Sequence, residues 1–134
     1  MILKGSSSFD GGISANAPLA AAIALGAERL VVLPTGFPCA VRAVPQGLSA
    51  TVLHTFALLV ARQLLADIPR AREQVALRIV PPLCPLTVAS HDFTQSRQLM
   101  ATAEKQTHDW IAGGGLESDE TPMTLLPHFH EIVP

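Results

Sequence analysis

Asp10-Gly11-Gly12 is the first place in this chain where residue types and spacing suit chemistry. It lies within "SSSFDGGISANAP", residues 6–18, ahead of a run of helix formers. Glycines permit positive φ and close backbone approach. An aspartate held on such a turn at a sheet edge stands where α/β folds keep their working groups. The bland alternative is a turn aspartate, or an acid favoured by the dipole at a helix entry.

The hydroxyls nearby do not complete that site. "GISAN", residues 12–16, comes nearest to a Gly-x-Ser-x-Gly nucleophile elbow, but Asn16 stands at its last position and no strand precedes it. "GSSSF", residues 5–9, fails in the same way, and Ser6, Ser7 and Ser8 read as turn residues. A second constellation is "PHFHEI": in an extended segment His128 and His130 share a side, and His91 or Asp92 would complete a metal site. The competing reading is a polar tail with Glu131, and on balance no metal or other cofactor is expected. Cys84, between Pro82 and Pro85, has no base beside it in sequence and reads as a small packing residue. His54 reads as a satisfied interior or interface histidine. Arg70, Arg72 and Arg78 read as solvated positions.

The elements that must position these groups follow from pattern. Asn16 caps a helix starting at Ala17, Pro18 is tolerated in its first turn, and Gly26 ends it. Residues 30–33 form a short, wholly apolar run, as in a central strand covered on both faces. Residues 47–68 form the next helix, with Leu48, Val52, Phe56, Leu59, Val60 and Leu64 on one stripe and Pro69 ending it. Apolar residues fill much of its other face, so it belongs in a core or at an interface. Residues 75–80 read as a second strand, stopped by Pro81-Pro82. Residues 94–111 read as a more polar helix, with Ser90, Asp92 or Thr94 as caps and Gly113-Gly114-Gly115 as its stop. Residues 116–134 read as an extended tail.

The ordered string of residues 10–36, "DGGISANAPLAAAIALGAERLVVLPTG", resembles the patatin-like phospholipase family. There a D-G-[GA] motif leads an Asn-x-Pro helix, then Gly-Ala and an apolar strand, here Asp10-Gly11-Gly12, Asn16-Ala17-Pro18, Gly26-Ala27 and residues 30–33. "HDFTQSRQLMATAEKQTHDWIAGG", residues 91–114, is similar to the family's closing segment. The resemblance covers residues 9–114. It implies a three-layer α/β/α sandwich with short buried strands and long apolar helices, of which this chain is the C-terminal part. It also implies a Ser–Asp dyad that hydrolyses carboxylic esters of lipids. Asp10 matches the dyad aspartate, and Gly11, Gly12 and Asn16 match its active-site loop. The family's serine elbow and Gly-rich oxyanion loop precede the D-G-[GA] motif, and neither occurs here. Oxyanion donors alone are worth about 10²–10³ in rate.

Length and composition agree with that picture. A chain of 134 residues is expected to be a single, partial domain, with residues 1–8 a leader outside the resemblance. It is 49% hydrophobic and only 15% charged, against about 25% in ordinary domains. Mean hydropathy is +0.36, high for so small a chain, and points to packing against something else. The expected partners are a lipid or ester substrate, an N-terminal catalytic half, or a second copy. The formal net charge of −2, the absence of a basic stripe and the scarcity of aromatics argue against nucleic acid. His54, Arg62, Gln63 and Asp67 interrupt the apolar run of residues 48–68, which argues against a transmembrane span. Residues 1–9 lack a secretory h-region. Cys39 and Cys84 form no CxxC and suit reduced thiols in the cytoplasm.

Three functions stand at this point. The chain is the aspartate-bearing part of a patatin-like hydrolase, inactive alone. Or it is a non-catalytic assembly domain that self-associates through helix 48–68. Or it is a small metal-dependent hydrolase built on the histidine tail.

Overall fold

Two short apolar strands pair in parallel and are joined by a long helix. This βαβ unit organises the computed structural model, which describes residues 2–3, 6–7, 11–35, 39–40, 46–89, 92–128 and 130. In chain order, β1 (Ile2–Leu3) and β2 (Ser6–Ser7) form a two-residue antiparallel pair. Then come α1 (Gly12–Ala15), α2 (Leu19–Ala24), β3 (Arg29–Val32), α3 (Leu48–Arg72), β4 (Ala76–Ile79) and α4 (Ser96–Ala112). A 3₁₀ turn spans Met123–Leu125. The class is mixed α/β: helices around a small parallel sheet. The order helix, strand, helix, strand, helix is the one expected from pattern.

In β3 and β4 the register pairs Leu30 with Leu77 and Val32 with Ile79. Alternation by two puts these four on one face. There they meet Leu19 of α2 and Leu64, Ile68 and Ala71 of α3 in a single core. The opposite face carries Arg29, Val31, Ala76 and Arg78. Val31 there is 46% exposed, and Leu33, just past β3, is 70% exposed. The expected strand covered on both faces is therefore covered on one. Parallel strands are ordinarily buried on both.

α2 stops as the sequence implies. Gly26 takes φ +92°, its N–H bonds Ile23 O, and Ala27 N–H bonds Ala22 O: a Schellman stop that a glycine makes at no steric cost. α4 stops likewise, with Gly114 at φ +82° and Gly115 N–H on Trp110 O.

Four boundaries differ from expectation. Asn16 does not cap a helix from Ala17; it ends α1, and α2 is entered through Pro18 with no side-chain cap. Pro69 does not end α3, which runs to Arg72. A proline one turn from the end removes a single ladder bond, and buried Ile68 and Ala71 on either side hold the last turn to the core. α4 begins at Ser96 rather than Thr94, because Asp92 Oδ1 accepts from both the Thr94 N–H (2.9 Å) and its hydroxyl (2.6 Å) in a local turn. The tail is not simply extended: Leu125, 1% exposed, folds back into the core beside Leu64 and Ile79.

α3 is divided along its length. Its C-terminal half supplies core residues, whereas Leu48 is 83% and Leu59 60% exposed, with Val52, Leu53 and Phe56 exposed between them. By length and composition α3 could also cross a membrane.

Candidate functional site

Asp10 lies outside the described residues. The residues that follow it, from Gly11, are described. Gly11 stands at φ −64°, ψ −23° before α1, and Ala15 N–H bonds its carbonyl at 2.8 Å. The Gly-Gly pair thus opens a helical turn, and Gly11 does not use the positive φ that the sequence reading allowed it. A Cβ at Gly11 would meet nothing within 4 Å. Gly12 is half-buried and starts the turn; Asn16 is exposed and closes it.

Asn16 faces the carboxyl end of β3. With Leu33, Pro34 and Thr35, which follow that strand, it lines a cavity of about 190 Å³. With Thr35, Phe56, Val60, Val88 and Phe93 it lines an adjoining groove of about 340 Å³. Ligands of parallel α/β sheets bind at this end of the strands. The groove has apolar walls and a polar corner at Asn16 and Asp92, which suits an acyl chain better than a charged substrate. Of the serines considered, Ser6 and Ser7 sit in β2; Ser8 lies outside the described residues.

A second cluster forms where the loops after β3 and β4 meet the tail. Cys39 Sγ lies 3.8 Å from Cys84 Sγ. Cys84 Sγ is 3.2 Å from His128 Nε2 and 3.3 Å from His130 Nε2, and the two imidazole nitrogens are 2.9 Å apart. All four residues are half-buried, and the cysteines are not joined. The histidine rings meet edge to face at 89°. Burial first, then the neighbouring Cys39 thiol, push the Cys84 pKa up to about 11.

This cluster corrects the sequence reading in two respects. His128 and His130 do come together, but with the cysteines and not with Asp92, which is engaged by Thr94. His91 and Glu131 lie outside the described residues. Cys84 is not merely a packing residue, since two imidazoles and a thiol face it. Arg78 is also less solvated than expected: it pairs with Asp119 and donates to Leu116 O, tying β4 to the tail. No sequence spacing could reveal the cluster, because Cys39 and Cys84 lie far apart in the chain and meet only through the βαβ unit. Comparison of the chain with family models, curated proteins and solved structures finds no match.

Proposed function

We propose that this chain is the C-terminal part of a patatin-like lipid acyl hydrolase and is inactive by itself. The observation that carries this reading is the unfinished sheet. Among the described residues β3 and β4 have only each other as partners, one sheet face is covered only where the tail meets Arg78 and leaves Val31 46% exposed, and the N-terminal half of α3 presents Leu48, Val52, Phe56 and Leu59 to solvent. Parallel sheets ordinarily have both faces covered, so a two-stranded one with an open face supports membership of a larger α/β layer structure. The remainder of a three-layer sandwich would cover the open part of that face and α3, and would bring the serine elbow and oxyanion donors. α3 is then a domain helix and not a membrane span, because Leu64, Ile68 and Ala71 are needed in the core and Arg62 and Asp67 interrupt its apolar run. Two free thiols suit a cytoplasmic protein.

In the assembled site Asp10 would orient and accept the serine proton, so that Oγ attacks the ester carbonyl. Gly11, the residue after Asp10 in sequence, is the N-cap of α1. Asn16 and the groove at Phe56, Val88 and Phe93 would hold the acyl chain beside that carbonyl. The test is hydrolysis of a short-chain p-nitrophenyl ester by the purified chain. The expected rate equals that of buffer. Turnover abolished by Ser14→Ala would contradict the reading, because this chain would then supply its own nucleophile.

The exposed α3 face also favours a second behaviour: without its other half, the chain self-associates. Analytical ultracentrifugation should show dimers or larger species at high concentration, and a strictly monomeric profile would count against an interface on α3.

A further inference from the structure

The Cys39, Cys84, His128 and His130 cluster has the donor set of a zinc site, and it stands independently of the hydrolase reading. Its four donor atoms lie within 4.8 Å of one another. Tetrahedral zinc has bonds of about 2.3 Å to sulfur and about 2.0–2.1 Å to nitrogen, so ligand atoms around it are separated by about 3.8 Å (S to S), about 3.6 Å (S to N) and about 3.3–3.4 Å (N to N). The sulfur pair is 3.8 Å apart, the Cys84–imidazole pairs 3.2 and 3.3 Å, and the nitrogen pair 2.9 Å. Side-chain shifts of a few tenths of an ångström bring the Cys84 and histidine donors to their places.

The surroundings also suit a metal. His128 Nδ1 lies 2.6 Å from Leu126 O. A carbonyl only accepts, so Nδ1 carries the proton and Nε2 is left with its lone pair toward the cluster. That is the outer-shell hydrogen bond that fixes a metal-binding imidazole. Leu86 N–H points at Cys39 Sγ from 3.4 Å and would stabilise a thiolate there.

We propose that Cys39, Cys84, His128 and His130 bind one Zn²⁺ ion in a structural site that fastens the tail to the loops after β3 and β4. Two thiolates and two imidazoles select zinc over the hard cations Mg²⁺ and Ca²⁺. Four protein ligands leave no open position, so the ion holds structure and does not activate water. Binding displaces both thiol protons to solvent, and the two thiolate charges balance the ion. The metal adds a second fastening to a tail already held by Leu125 and by the Arg78–Asp119 pair.

The experiment is titration of the full, reduced chain with Co²⁺ and then Zn²⁺. Expected are intense tetrahedral d–d bands and a sulfur-to-cobalt charge-transfer band saturating at one equivalent, bleached by Zn²⁺, with Tm raised by Zn²⁺. Cys84→Ser and His130→Gln should each weaken binding by more than the ~10–100-fold typical of outer-shell changes. Their circular dichroism would report whether they fold. Should either fail to fold, protection of the wild-type thiols from a disulfide reagent by stoichiometric Zn²⁺ replaces it. Only the weak bands of octahedral Co²⁺, or thiols that react equally fast with and without Zn²⁺, would overturn the proposal. None of these readouts depends on ester hydrolysis, so this site and the hydrolase reading fail separately.

Discussion

Two glycines show how differently one residue type can be constrained. Gly115 is buried, and a Cβ there would run into the indole of Trp110, which lies over it from the last turn of α4. Gly115→Ala should therefore destabilise the chain by about 1–3 kcal/mol, read as a lower urea midpoint at unchanged slope. Gly11 has open space around it and an ordinary helical φ. Gly11→Ala should leave stability within about 0.5 kcal/mol. Under the proposed function a catalytic half would approach this loop, and the same change should then impair activity once that half is supplied. Local chemistry of this kind is legible in sequence: Gly26 was recognisable as a helix stop because its role depends on its immediate neighbours. The Cys39–Cys84–His128–His130 cluster was not, because its members are brought together by chain topology. A search for CxxC or HxH spacing finds half of it at most.

Among the elements, the tail and α3 carry the clearest consequences. Leu125 is a tail residue with the burial of a core leucine, and it contacts the same cluster as Leu64 and Ile79. Leu125→Ala should cost about 2–5 kcal/mol in chemical denaturation, which an extended, solvated tail would not. At the other end of the scale, Leu59→Lys on the exposed face of α3 should change stability by no more than about 0.5 kcal/mol while reducing self-association in sedimentation. The apolar period of α3 was visible in sequence, and so was its excess over what one face can bury. Which half is buried was not visible. That is set by where β3 and β4 lie against the helix, and the stripe is equally apolar at both ends. The run past Pro69 has the same origin: tertiary contacts of Ile68 and Ala71 outweigh one lost hydrogen bond.

At the scale of the whole molecule, hydropathy and architecture make the same statement. A mean hydropathy of +0.36 is high for 134 residues, and among the described residues the fold displays the surplus as exposed Val31 and Leu33 at the sheet and as the exposed apolar residues in the N-terminal half of α3. The mixed α/β class followed from the helix–strand order. The three-layer arrangement belongs to the proposal, since the described residues show a two-stranded parallel sheet with helices against one face, beside the short β1–β2 pair. Under the proposed function, Asn16 and the groove at the carboxyl end of β3 would form one wall of a site whose other wall bears the nucleophile. The measurement that tests this most directly is complementation: the chain mixed with an N-terminal patatin-like segment bearing the Gly-x-Ser-x-Gly elbow, assayed on a p-nitrophenyl ester. The account predicts turnover in the mixture only, lost with Asp10→Asn and with the elbow serine replaced by alanine. Turnover by the mixture that is indifferent to Asp10→Asn would contradict it.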